Sequence, residues 1–216
     1  MCLIWLKVLV IKKYNMNTLW TFGDSFTEGY GCRIEDEYYK NYWKLGDKIW
    51  PVWLSELLDV NLINCGVGGY SNDMILDSII DNWLQIKKND YVFIGFTYPH
   101  RFDVPIDNKL KSIVHDFKDA NLKKEEIETI VNFQHYFSDN ILYQDRQMKR
   151  FKWIKELLIS KECKLVVLWD VQIDRKNLET ITGATNQNII DGHLSYNSHK
   201  MLAMQFYKKY IKKDLI

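Results

Sequence analysis

The sequence predicts an α/β protein: a mostly parallel sheet of about five strands, covered by helices on both faces. Two observations carry that expectation. Short β-type apolar runs alternate with longer stretches of helical periodicity along the chain, the pattern of strands joined by crossover helices. One of the runs, Tyr91–Phe96, is continuously apolar, as a strand buried on both faces requires.

The elements follow in order. Leu19–Phe22 forms the first strand and runs into the turn Gly23-Asp24-Ser25-Phe26-Thr27-Glu28-Gly29. Residues 30–49, rich in Tyr, Lys, Asp and Glu, read as a surface loop. Trp50-Pro51 opens a helix, since proline is tolerated at the first helical position, and Trp53, Leu54, Leu57 and Leu58 give it an apolar face. Val60–Ile63 is the second strand and leads into the glycine-rich stretch 64–69. Asn72 or Asp73 caps the next helix, in which Ile75, Ile79, Trp83 and Ile86 recur at helical spacing. Residues 98–140 have mixed polarity and read as a loop-and-helix insertion roofing the site. A helix around 145–160 presents Phe151, Ile154 and Leu158 on one face, and Lys164–Trp169 is the fourth strand, ending at Asp170. A fifth strand is expected before His193, hinted at by Asn188–Ile190. Ser195 caps a last helix on which His199, Leu202, Phe206 and Tyr210 share a face.

Composition narrows the function classes. A chain of 216 residues favours one domain with a sizeable core. Its formal net charge of +1 gives no electrostatic reason to expect nucleic acid or an anionic membrane as partner. The four cysteines (Cys2, Cys32, Cys65, Cys163) form no CxxC pair and no zinc spacing, so they read as free thiols of a reducing, cytoplasmic compartment. The apolar stretch Met1–Val10 falls short of the roughly 20 residues needed to span a bilayer, and no small-residue cleavage site follows it. Met16 stands just before the first strand, so residues 1–16 are expected to be an extension outside a single domain over 17–216, either an extra edge strand or the result of a misassigned start. No dinucleotide fingerprint, phosphate loop or metal-ligand cluster is present, and no cofactor is expected.

Ser25 is the candidate nucleophile, because open α/β sheets hold ligands at the carboxyl edge, where the first strand delivers it. A serine needs a base and the base an orienting acid, and Asp191-Gly192-His193 offers both. In an extended segment residues i and i+2 point the same way, and Gly192 lets the backbone bend, so Asp191 can meet the His193 ring. Asp170 is the fallback acid. Asp24 is read as bracing the turn.

These blocks resemble the SGNH or GDSL hydrolase family. Residues 23–29 match its Gly-Asp-Ser-x-(Ser/Thr)-x-Gly motif, and 64–69 (Asn-Cys-Gly-Val-Gly-Gly) match its Asn-x-x-x-x-Gly loop. Asp191-Gly192-His193 resembles its C-terminal Asp-x-x-His with the aspartate one residue closer. The resemblance implies a flavodoxin-like three-layer α/β/α sandwich and a serine esterase hydrolysing a small acyl ester, with carbohydrate esters among the candidate substrates. It also implies an oxyanion hole made by the backbone N–H groups of Ser25 and Gly69. The family's asparagine after the third strand is missing, since the chain reads Thr97-Tyr98-Pro99-His100-Arg101 there. Thr97 is the first candidate to replace that donor, followed by Asn72 and Arg101, with Arg101 also a candidate for substrate binding and Asn72 equally readable as a helix cap. An acyltransferase on the same machinery, or a non-catalytic binding module of the same fold, are the alternatives.

Overall fold

The computed structural model describes residues 16–29, 48–99, 101–106, 109–113, 123–138, 141–170, 189–190, 193–194 and 196–212. Its centre is a four-stranded parallel sheet built from β1 (Thr18–Gly23), β2 (Asn61–Gly66), β3 (Tyr91–Phe96) and β6 (Leu165–Asp170), in the order β2-β1-β3-β6. Taken in sequence, that is a flavodoxin-like 2-1-3-4 arrangement. The residues preceding Met16, which hold nearly all of the expected extension, and most of the polar stretch 30–49 lie outside the described residues.

Side-chain alternation along the strands sorts the core into two layers. Leu19, Tyr91, Phe93, Val167 and Trp169 face one side, under α2 (Trp50–Leu58) and α6 (Tyr196–Phe206). Trp20, Phe22, Val92, Ile94 and Val166 face the other, under α3 (Asn72–Asp81) and α5 (Ile141–Ser160). The three-layer sandwich follows directly. The first core is aromatic: the Trp50 ring lies edge-on to Trp169 at 5.6 Å and to Phe206 at 5.2 Å between centroids. Such pairs each add about 0.5–1.5 kcal/mol beyond the area they bury. The buried Trp50 indole N–H is satisfied by the Phe26 carbonyl at 3.0 Å, which ties α2 to the turn after β1.

At the amino edge of the sheet Asp90 sets the register. Its carboxylate accepts from the Thr18 N–H at 2.8 Å, the Trp20 indole at 2.9 Å and the Lys87 N–H at 2.9 Å. One buried side chain thereby fixes β1 against β3.

Several boundaries differ from those read in the sequence. The second strand continues to Gly66, because Asn64, Cys65 and Gly66 pair in register with Thr21, Phe22 and Gly23. Helix α3 is capped by Ser71, whose Oγ accepts from the Met74 N–H at 3.1 Å, and not by Asn72 or Asp73. It stops at Asp81, where Asn82 Nδ2 donates back to the Ser78 carbonyl, so Trp83 and Ile86 lie beyond it although Ile86 is still fully buried. The insertion contains an antiparallel hairpin of β4 (Phe102–Ile106) and β5 (Lys109–Ile113), then α4 (Lys124–Ser138). The hint of a fifth sheet strand resolves into β7 (Ile189–Ile190), which pairs antiparallel with β8 (His193–Leu194) in a separate ladder. After α6 the chain widens into a π-helical turn over Tyr207–Ile211.

Candidate functional site

The strand order creates a switch point. From β1 the chain passes to β2 on one side, then crosses to β3 on the other, so the carboxyl ends of β1 and β3 flank a crevice of the kind that holds ligands in open α/β sheets. Ser25 follows β1, and Thr97 follows β3.

Ser25 opens α1 (Ser25–Glu28), a single helical turn that exists because both its ends are capped. Asp24 is extended, and its Oδ1 accepts from the Phe26 N–H at 3.1 Å. Gly29 closes the turn at φ +84°, a conformation suited to glycine, and donates its N–H to the Ser25 carbonyl at 3.0 Å. The turn sits hard against the tip of β2. A Cβ on Gly66 would lie 2.5 Å from the Glu28 nitrogen and 2.6 Å from the Thr27 carbonyl carbon. Asn64 pins the same contact: it accepts from Thr21 Oγ1 at 2.9 Å and the Gly66 N–H at 3.0 Å, and donates to the Thr27 carbonyl at 2.9 Å. Ser25 itself is 6% exposed at the rim of the crevice.

Asp24 is the hub beneath the serine. Fully buried, it accepts at Oδ2 from the Thr97 hydroxyl at 2.7 Å and from Arg101 Nη1 at 3.0 Å. Thr97, expected as the first substitute oxyanion donor, therefore aims its one O–H at Asp24. Asn72 is engaged as well. Its Oδ1 accepts from the Thr97 N–H at 2.8 Å, and its Nδ2 donates to the Thr97 carbonyl at 3.1 Å and to Gln147 Oε1 at 3.0 Å. It locks the end of β3 to α5 instead of capping its own helix. Arg101, expected at the substrate, is 8% exposed and paired with Asp24.

Gly69, the other residue expected to donate to an oxyanion, lies in the glycine loop. Glu28 accepts from the Gly68 N–H at 2.6 Å, and the Tyr70 N–H reaches the Val67 carbonyl at 3.2 Å. Gly69 has φ +82°, with no atom within 4 Å of where a Cβ would be, so its backbone borders open space.

No protein-family model matches the chain, and no curated protein matches it. Several solved structures align with it, and two of them illustrate the likeness. One is of a protein assigned to the G-D-S-L lipolytic family from Desulfitobacterium hafniense DCB-2, at 14% identity and a TM-score of 0.38, over 89% of this chain and 98% of that one. The other is of an alpha/beta hydrolase enzyme from the metagenome of Lake Arreo, Spain, at 14% identity and a TM-score of 0.41, over 89% of this chain and 94% of that one. Likeness at this level carries no argument about residues or chemistry.

Of the remaining site candidates, Asp191 lies outside the described residues, and His193 is described by its backbone alone. That backbone is informative: β8 runs beside α1, with Cα atoms of the two elements within 8 Å, and its second residue, Leu194, is buried in the aromatic core. Asp170 ends β6 opposite Phe96, one strand further from β1. His199 has a different task. Buried to 1% exposure, its Nδ1 accepts from the Trp50 N–H at 3.2 Å, which makes it the N-terminal partner of α2.

Sequence reading did not find Gln147, yet a signal was present. It lies on the α5 stripe of Phe151, Ile154 and Leu158, and a polar residue on an apolar stripe needs a buried partner, here Asn72. Nearby, Ser71 Oγ donates to Asp103 Oδ2 at 2.6 Å. Burial raises the Asp103 pKa, Asp73 and Asp77 raise it further, and the Ser71 bond opposes them. Among the described residues no group of three or more His, Cys, Asp and Glu side chains could hold a metal ion.

Proposed function

We propose that the protein is a serine esterase that hydrolyses a small acyl ester, with Ser25 as nucleophile, His193 as base and Asp191 as orienting acid. The observation that carries this reading is the position of Ser25: it stands at the switch point, on a doubly capped turn, with the strand bearing His193 running alongside. In the reaction Ser25 Oγ attacks the ester carbonyl carbon as His193 takes its proton. The carbonyl oxygen becomes an oxyanion held by the Ser25 and Gly69 N–H groups. The intermediate collapses, the C–O bond to the alcohol breaks, and His193 returns the proton to the leaving oxygen. Water, deprotonated by His193, then attacks the acyl-enzyme and releases the acid and free Ser25. A sugar or another polar alcohol as the leaving group, or as an acceptor in place of water, rests on family analogy.

One observation favours a second reading, a binding module with weak or no turnover: Thr97 and Asn72 both direct their side-chain donors to protein groups. A fluorophosphonate probe separates the two. Labelling mapped to Ser25, lost in Ser25→Ala together with turnover of an activated acetyl ester, supports the esterase. Labelling elsewhere, or undiminished turnover in the variant, rejects it. If Asp170→Asn costs more activity than Asp191→Asn, the acid comes from the end of β6.

A further inference from the structure

Arg101 joins the two segments that carry the proposed oxyanion donors. Its Nη1 donates to Asp24 Oδ2 at 3.0 Å and to the Tyr70 carbonyl at 3.3 Å. Asp24 immediately precedes Ser25, and Tyr70 immediately follows Gly69. The guanidinium also lies 5.5 Å from the centroid of the Tyr98 ring, just after β3. Three segments at the crevice thus meet on one side chain.

We propose that Arg101 is a positioning residue that fixes the spacing between the Ser25 and Gly69 N–H groups, an inference that rests on the esterase reading. The physical need is plain. Oxyanion donors act only when they lie about 2.7–3.1 Å from the developing charge, and a misplacement of about 1 Å costs on the order of 10²-fold in rate. The Val67-Gly68-Gly69 loop has little side-chain packing to hold it, and glycine is the freest residue to order. With the hydroxyl of Thr97 and the amide of Asn72 turned to other partners, two backbone donors carry the oxyanion, and their separation becomes critical. A planar guanidinium can hold a carboxylate and a carbonyl on different segments at fixed angles. An ammonium is a point charge on a flexible stem and holds neither angle. Arg101 is 8% exposed and its Nη1 is engaged by two protein acceptors, so that nitrogen is committed to holding the two segments.

The test uses the full chain, wild type and Arg101→Lys, with an activated acetyl ester, thermal unfolding and amide hydrogen exchange. Lysine keeps the charge beside Asp24, so the variant folds. The expected result is a kcat lower by about 10–100-fold, a KM within about twofold, and faster exchange in the peptide containing Gly68, Gly69 and Tyr70. In Arg101→Ala, millimolar guanidinium should restore part of kcat, whereas sodium chloride at equal ionic strength should not. A raised KM with unchanged kcat would make Arg101 a substrate contact and overturn the proposal. So would a kcat that falls only with the folded fraction and is not rescued, or a silent Arg101→Lys. If the wild type neither turns over ester nor labels at Ser25, the esterase reading fails separately. The exchange arm then decides the clamp: unchanged exchange at Gly68–Tyr70 overturns it, and faster exchange supports it.

Discussion

Replacing Thr97 by valine keeps the β-branched shape and deletes one hydroxyl, so it isolates the bond to Asp24. That bond is 2.7 Å long, buried, and made to a carboxylate. Hydrogen bonds to charged groups contribute about 1.5–3 kcal/mol. Asp24 Oδ2 keeps Arg101 Nη1 at 3.0 Å in the variant, so no acceptor is orphaned and the loss belongs near the lower end, about 2 kcal/mol. For a chain of this length the melting temperature falls by about 2–4 °C per kcal/mol, which gives a drop of about 4–8 °C. Calorimetry or circular dichroism reads that shift, and the same samples, assayed well below the transition, should lose less than about tenfold in kcat. The opposite pattern refutes the reasoning. An unchanged melting temperature with kcat down by about 10²–10³-fold is the signature of a lost oxyanion donor, and would mean that the hydroxyl turns to the substrate.

Three further outcomes follow from the geometry. Gly66→Ala forces the turn after β1 away from β2, so stability should fall by about 1–3 kcal/mol, and the fluorophosphonate labelling rate should fall further than the folded fraction does. Asp103 has its pKa raised in the native state by burial and by Asp73 and Asp77, so the native state binds the proton more tightly. The stabilisation this brings is full below about pH 4 and is lost as pH rises through the native value. Asp103→Asn, which keeps an acceptor for Ser71, should melt higher than wild type at neutral pH, with the gap closing in acid. The Cys163 thiol is pushed up to about 11, first by burial and then by the charge of Asp90. Iodoacetamide at pH 8 should therefore modify it on the order of 10²-fold more slowly than an ordinary thiol, with the difference vanishing in urea.

The parts of this fold that were legible in the sequence are those written in local chemistry. YVFIGF marks a two-sided buried strand without help from elsewhere, and Gly-Asp-Ser between a strand and Gly29 announces a tight turn. What escaped reading depends on partners far along the chain. Ser71, Asn72 and Asp73 are all competent caps, and the choice falls to Ser71 because Asn72 is held by Thr97, 25 residues away. The donor role expected of Thr97 was inferred from its place after β3, which is where it stands, but the direction of its O–H is set by Asp24. The last three residues of the second strand are hidden in the sequence, because Asn64 looks like a loop residue until Thr21 and Thr27 are seen to satisfy it. Two-residue strands such as β7 and β8 carry too few side chains to show a period at all.

The wiring of Asp24 also sets when the serine turn becomes ordered during synthesis. Its two side-chain partners after β3 lie 73 and 77 residues downstream, and the Asn64 clamp on Thr27 spans 37. Until Arg101 has left the ribosome, Ser25 belongs to a short helical turn whose side-chain bonds to the segment after β3 have not yet been made. Contacts of such long range form only after the intervening loops are closed, so they are slow to assemble and are gained together. A chain ending before Thr97 would carry Ser25 on a turn held by its own two caps, without the Thr97 and Arg101 bonds to Asp24. The geometry around Ser25 is therefore completed only once β3 and the residues that follow it are in place.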